Sequence, residues 1–271
     1  MKSTVITAAS RQGILSITMN RPAVRNAFDD SQVLQLIAAL EQAEADSGVR
    51  VVILAGAGTS FSAGGDIDYM RRMGENSYAD NLVDAKRLAH LMRTLNFLSK
   101  PTIARVQGPA VGGGVGLACC CDFAVGSPAA LFATSEVKLG MVAATIGPYV
   151  TATVGEKAAR RMFLSALPVR ASDALRLGLL SHLVPEEELD AEVESLASTL
   201  IQNAPQAMRR SKQLTFDMAR RPISHELIDE TVTLIADVRA SGEGREGLEA
   251  FLNKRAPQWE SAQGLPQSAK E

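Results

Sequence analysis

Cysteine and histidine are scarce in this chain of 271 residues, and each scarcity removes a class of chemistry. The three cysteines are the adjacent Cys119, Cys120 and Cys121. Consecutive residues make a poor disulfide framework and match no zinc spacing. They read as small core residues of a reducing compartment, so a cytoplasmic location is expected. His90, His182 and His225 lie far apart in the chain, and no metal site is expected from them. The formal net charge of −2 provides no general attraction to nucleic acid or to an anionic membrane, and neither is expected as a partner. The longest apolar run near the central glycines is about a dozen residues, short of the roughly 20 that span a bilayer. The opening stretch MKSTVITAASRQGILSITMN lacks the apolar core of a signal peptide. There is no Walker A sequence, no H-E-x-x-H and no G-x-S-x-G. Gly56 and Gly58 begin a G-x-G-x-x-G pattern, but Phe61 occupies the last glycine position, so no dinucleotide fingerprint is present.

What the chain does have is glycine in unusual places. The stretch TIARVQGPAVGGGVGLACCCDFAV, residues 102–125, reads as a strand, a turn at Gly108 and Pro109, three consecutive glycines, an apolar helical stretch and a second strand. Three glycines at the mouth of a helix are costly, at roughly 0.5–1 kcal/mol each in a regular element, unless the backbone itself must approach something. Amide N–H groups at such a mouth face outward with the helix dipole behind them, which suits an anion or an oxygen becoming one. Tight helix–strand packing is the alternative reading of the same glycines.

In chain order, residues 5–7 and 14–19 alternate like the strands of a hairpin around Arg11, Gln12 and Gly13. Asp29, Asp30 and Ser31 can cap a helix running to about Asp46, and the β-branched run at 49–55 predicts a strand covered on both faces. A glycine-rich loop, GAGTSFSAGGDI, leads to a helical stretch over 79–98. After the central glycines, 130–133 reads as a short strand and 135–139 as a turn or short helix. Strands alternating with helices predict an α/β fold of βαβ units with substantial parallel pairing. From about Ala152 the character turns helical, with expected helices over 155–166, 171–177, 185–203, 205–219, 223–241 and 244–254, and one last short strand within 179–184. The expected organisation is a core over 1–195, a helical oligomerisation region over 196–260 and a disordered tail over 261–271.

Two loops of small residues follow strands of this sheet, Ala63-Gly64-Gly65-Asp66 and Gly112-Gly113-Gly114. Loops after adjacent parallel strands meet at the carboxyl edge, where ligands bind. Backbone N–H groups converging from two loops make an oxyanion hole. With none of the usual nucleophiles evident beside them, that arrangement suits a thioester enolate with one carboxylate moving protons.

The chain resembles the enoyl-CoA hydratase/isomerase (crotonase) family over most of its length. The matching segments are NRP with Asn26 and Ala27, FSAGGDI, KPTIARVQGPAVGGGVGLACCCD, FATSEVKLG, NAPQA and EGLEAFLNKRAPQW. Their order and spacing make the resemblance specific. It implies a crotonase-like spiral of βαβ turns, C-terminal helices that build a homotrimer or dimer of trimers, and an acyl-CoA thioester as substrate, with coenzyme A carried by the substrate and no separate cofactor. By position, Gly65 and Gly113 match the oxyanion-hole residues and Glu136 the catalytic glutamate. Arg25 and Ala27, with Ala63, Asp66, Ile67 and Gly112, match the part that wraps the CoA moiety. Phe251 and Lys254 resemble C-terminal residues that reach the CoA nucleotide, often from a neighbouring subunit; a solvated helix face is the plain alternative for Lys254.

Gly116 departs from the pattern, because two-glutamate hydratases carry their second glutamate at that place. A single glutamate is what the family's Δ3,Δ2-enoyl-CoA isomerases use, and in that reading Gly116 leaves space for the acyl chain. Against this, residues 136–150, EVKLGMVAATIGPYV, look like the branch that hydrates 3-methylglutaconyl-CoA and isohexenylglutaconyl-CoA. The expected order is therefore a hydratase of a branched glutaconyl-CoA, then a one-glutamate isomerase, then a short-chain enoyl-CoA hydratase. A scaffold that keeps the fold without catalysis, binding acyl-CoA or RNA, is a fourth possibility, disfavoured by the presence of Glu136 and both oxyanion glycines. The acyl pocket is expected between a loop over 68–82 and residues 141–149, with Arg71 or Arg72 available to a distal carboxylate.

Overall fold

The computed structural model describes residues 4–9 and 12–261. The N-terminal hairpin pairs β1 (Val5–Ala9) antiparallel with β2 (Ile14–Met19); Arg11 of the expected turn lies outside the described residues, and of the tail expected to be disordered over 261–271 only Ser261 is described, at the end of a short helix. A single 3-10 turn, Pro22–Val24, leads into α1 (Asp30–Ala45), whose cap is Asp29 accepting from the Gln32 N–H at 2.9 Å. Then come β3 (Val51–Gly56), α2 (Ile67–Glu75), α3 (Tyr78–Asn96), β4 (Thr102–Val106), β5 (Pro109–Val111), α4 (Gly113–Cys120), β6 (Phe123–Gly126) and β7 (Leu131–Ala133). A 3-10 turn at Glu136–Leu139 precedes α5 (Gly147–Val154), α6 (Glu156–Ser165), β8 (Val169–Arg170), α7 (Ala171–Leu177) and β9 (His182–Leu183). A third 3-10 turn, Glu186–Glu188, and the helices α8 (Leu189–Gln202), α9 (Pro205–Met218), α10 (His225–Ala240), α11 (Gly242–Leu252) and α12 (Gln258–Ser261) complete the chain.

Two sheets result. The larger runs β1-β2-β3-β4-β6-β9, parallel from β2 onward, and the smaller runs β5-β7-β8, parallel between β5 and β7. β3 is buried along most of its length because both faces of the larger sheet are covered. On one face Leu36, Leu40, Leu91, Leu95, Val115 and Leu117 join the main core with Val52, Leu54 and Ala104. On the other, Leu189, Val193, Ala197 and Ile201 of α8 pack on Val51, Ile53, Ile103 and Val125. α8 runs across residue 195 and packs on the sheet as part of this second core, with Met208 of α9 beside it.

Three elements differ from the expectations. Residues 67–75 form α2 rather than a loop: the Asp66 side chain caps it by accepting from the Asp68 N–H at 2.9 Å. β5 begins at Pro109, a position where the missing N–H costs no ladder bond, and pairs with β7. α5 starts across Gly147-Pro148, with proline in its first turn, where its fixed φ suits a helix.

Candidate active site

Short ladders assemble the site. β3 ends at Gly56, and the Asn26 Nδ2 group donates to the carbonyls of Ala57 and Ser60, both at 2.8 Å. Gln107 Nε2 donates to the carbonyls of Gly56 and Ser60 at 2.7 and 2.9 Å, fixing the same loop from the β4 side. Ser62 donates its N–H to Pro109 and accepts from the Val111 N–H at 2.8 Å, so the loop carrying Gly65 is laid beside β5. The Gly112 N–H then donates to the Ala133 carbonyl at 2.8 Å, laying β5 beside β7, three residues before Glu136. Gly65, Gly113 and Glu136, far apart in sequence, are brought to one edge.

The Gly65 N–H makes no hydrogen bond among the described residues. The Phe28 N–H donates to Gly64 at 2.8 Å and the Asp66 N–H to Phe28 at 3.1 Å, so the bridge uses the groups on either side of the Gly65 N–H. The Gly113 N–H, first in α4, lies among the groups that a helix leaves without an intrahelical acceptor. Close approach explains the absence of a side chain here: a Cβ on Gly113 would stand 2.2 Å from Phe28 Cζ. Gly112 adopts φ 53° and ψ −119°, which favours glycine, and a Cβ on it would stand 3.2 Å from Glu136 Oε1.

Gly65, Gly112, Gly113 and Glu136 all line one cavity of about 870 Å3. α2 and α3 supply Ile67, Tyr69, Met70, Arg71, Met73, Asn81, Asp84 and Leu88 to its wall, and the segment after the 3-10 turn supplies Met141 to Ile146. The cavity therefore has walls from the two segments expected to line the acyl pocket, the first being helical. Arg71 faces the cavity and pairs with Asp68 at 2.7 Å, whereas Arg72 turns to Asp30 at 2.9 Å and does not line it. Tyr69 and Asp84, which the sequence did not single out, form a hydrogen-bonded pair on the wall, the Tyr69 hydroxyl donating. Burial pushes both groups up from their ordinary pKa values.

Glu136 is the carboxylate at the junction of the two loops. Burial raises its pKa above the usual glutamate range, partly offset by a backbone hydrogen bond, and its Oε2 has no hydrogen-bond partner among the described residues. A carboxyl group raised by burial, with one oxygen unpartnered, has the character of groups that move protons at functional sites. The cysteines are different: all three are core groups, with burial pushing Cys119 up to about 12, and none lines the cavity.

Gly116 corrects an expectation. It lies inside α4 without a positive φ, and it does not line the cavity. A Cβ there would stand 2.3 Å from Ile146 Cγ2 and 3.1 Å from Met92 Sδ. The place of a second glutamate is thus occupied by Ile146, and neither substrate nor carboxylate has room beside Gly116.

Among the residues expected to wrap CoA, Ala63 and Ile67 line the cavity. Arg25 holds φ 54° and accepts from the Ala63 N–H at 2.9 Å, and Ala27 is buried beside it. Asp66 is engaged within the protein, paired with Arg21 at 2.9 Å while capping α2. Phe251, on α11, and Lys254, just after it, do not line the cavity of their own chain.

Gly65, Gly113 and the half-buried Glu136 carboxylate line one largely apolar cavity. The chain belongs to the enoyl-CoA hydratase/isomerase family, whose pattern it matches over residues 9–263. It is 33% identical over 250 residues to the 2,3-dehydroadipyl-CoA hydratase of Escherichia coli K12, covering 91% of this chain and 95% of that one. An enoyl-CoA hydratase from Shewanella pealeana superposes with a TM-score of 0.92 at 38% identity, over 95% of this chain and 96% of the other. An enoyl-CoA hydratase/isomerase from Marinobacter aquaeolei gives 0.87 at 32%, over 94% and 98%. The protein is an enzyme of enoyl-CoA thioesters with the crotonase fold. No helix among the described residues is long and apolar enough to cross a membrane.

Proposed function

We propose that the protein adds water across the C2=C3 bond of a branched glutaconyl-type enoyl-CoA, with Glu136 as its acid and base. The observation that carries this reading is the Glu136 carboxylate, its Oε2 without a hydrogen-bond partner among the described residues, sharing one cavity with Gly65 and Gly113. Their N–H groups receive the thioester oxygen, each such donor being worth about 10²–10³ in rate. Glu136 takes a proton from water as the water oxygen bonds to C3, and the electron pair moves onto the thioester oxygen. The resulting enolate collapses as C2 takes the proton back from Glu136, so one carboxylate serves both steps. No cofactor enters; coenzyme A arrives with the substrate, wrapped by Arg25, Ala27, Ala63 and Ile67, with Phe251 and Lys254 reaching it from a neighbouring subunit.

Arg71 supports an acyl group with a distal carboxylate: it is the only cation lining the cavity among the described residues. Its pair with Asp68 is solvent-exposed, and such pairs hold by only about 0–1 kcal/mol, so a substrate carboxylate can compete for it. The name of the Escherichia coli relative describes a substrate of this dicarboxylic kind. A Δ3,Δ2-enoyl-CoA isomerase is the second reading, favoured by Ile146 filling the place of the second glutamate.

A panel of enoyl-CoA esters separates these readings. Turnover is expected to be fastest on branched esters with a distal carboxylate, and Arg71→Ala to reduce that preference. Equal rates with and without the carboxylate would overturn the substrate assignment, and migration of the double bond without hydration would establish the isomerase.

A further inference from the structure

Glu136 borders a second, smaller cavity. It measures about 300 Å3 and is lined by Thr134, Glu136, Val137 and the segment from Met141, with Phe163 and Leu164 of α6 closing the far side. Met141 to Ala144 line both cavities, so this short segment is a shared wall and Glu136 stands at the junction. Leu164, on the far rim, is 75% exposed.

The lining is apolar apart from two groups. Thr134 is buried to 1% exposure, and its Oγ1 has no hydrogen-bond partner among the described residues; the same holds for Glu136 Oε2. Buried polar atoms in folded proteins are almost always paired, with protein or with an ordered water. A water needs room for about one probe sphere and two or more polar partners. The smaller cavity offers the room, and Thr134 and Glu136 offer the partners. They lie two residues apart where β7 gives way to the 3-10 turn, which ties their positions together.

We infer that Thr134 is the second water-positioning group of this site: its hydroxyl and Glu136 Oε2 hold between them the water that hydration consumes, admitted through the smaller cavity. This rests on the hydratase reading. A water has two O–H bonds. One must point at the base that will take its proton, and the other needs an acceptor if the oxygen is to keep its lone pair on C3. Two-carboxylate sites supply both acceptors as glutamates, but here Ile146 occupies the place of the second. A threonine hydroxyl accepts without taking a proton, so Glu136 remains the only group that changes protonation: it receives the water proton and returns it to C2, and the product gains one oxygen and two hydrogens. Entry from the α6 side also lets water reach Glu136 while an acyl chain fills the main cavity.

Thr134→Val keeps the shape and removes the hydroxyl; Thr134→Ser keeps the hydroxyl. The Val variant is expected to lose about 10²-fold in kcat for hydration, the lower range for one positioned hydrogen-bonding group. Its KM for the enoyl-CoA and its Kd for a saturated acyl-CoA should stay within about twofold, because thioester binding does not use Thr134. The Ser variant should recover most of the rate. Should Val at this position prevent folding, Thr134→Ala carries the same expectation. Unchanged kcat in the Val or Ala variant, or a Ser variant as slow as either, would overturn the role of Thr134. A wild-type enzyme that hydrates no ester of the panel would overturn the hydratase reading instead, so the two failures are distinct.

Discussion

Glu136 shows how a reactive group is carried at a cost to stability. Its pKa is raised by burial, so the native state holds the proton at pH values where the unfolded chain has released it. The native state then binds more protons than the unfolded one above the ordinary glutamate value of about 4.5, and stability falls as pH rises through the native pKa. Glu136→Gln removes the ionisation and keeps the shape. The variant should melt higher than the wild type at pH 7, with the gap closing as pH falls below about 4.5, while turnover drops by at least about 10²-fold. A calorimetric pH series showing the wild type to be the more stable partner at pH 7 would contradict the assignment of burial as the cause. The same shift places the acid limb of kcat/KM above the ordinary glutamate value, since hydration needs the carboxylate form.

At the scale of elements, α4 and the segment leading into α5 are locked together through Gly116 and Ile146. Gly116→Ala puts a methyl group 2.3 Å from Ile146 Cγ2, and overpacking of this kind costs about 1–3 kcal/mol. Ile146→Ala in the same chain should recover part of that loss, because the two side chains contend for one volume. Chemical denaturation of the four members of this double-mutant cycle reads the coupling, and strict additivity would show that the two positions do not share that volume. The elements also show where sequence was and was not sufficient. β4 was legible to the residue, because an apolar β-branched run bounded by Pro101 and Gly108 has few other solutions. α2 was not, since IDYMRRMGE is short, holds Gly74 and follows a glycine-rich run; the Asp66 cap, with the Arg21–Asp66 pair behind it, starts the helix. β5 was hidden by Pro109, which signals a turn unless its partner strand β7 is known. That Gly65, Gly113 and Glu136 would meet was legible from their motifs, and all three line one cavity. Ile146, thirty residues from Gly116, and the unpartnered Thr134 hydroxyl were not, because close packing and missing partners are properties of the assembled core.

The whole molecule leaves apolar surface on its helical appendage. Ile228, Val232 and Ile235 follow one face of α10 and are about half exposed, and Leu248, Phe251 and Leu252 are exposed on α11. Stripes at helical spacing are made to be covered. We propose that a neighbouring subunit covers them in a trimer or a dimer of trimers, which also brings Phe251 and Lys254 to a partner's cavity. Sedimentation should give the trimer or hexamer mass at micromolar concentration, and truncation before Ile223 should abolish assembly; a stable monomer of the full chain would contradict this. Within that assembly the proposed chemistry is hydration of the double bond by one carboxylate. It is tested most directly by incubating the wild-type protein with a branched glutaconyl-type enoyl-CoA in heavy-oxygen water, alongside Glu136→Gln. Label is expected at C3 of a hydroxyacyl product with the wild type, and is expected to be lost with the variant. Interconversion of 2-enoyl and 3-enoyl esters without label, or label that survives the loss of Glu136, would contradict it.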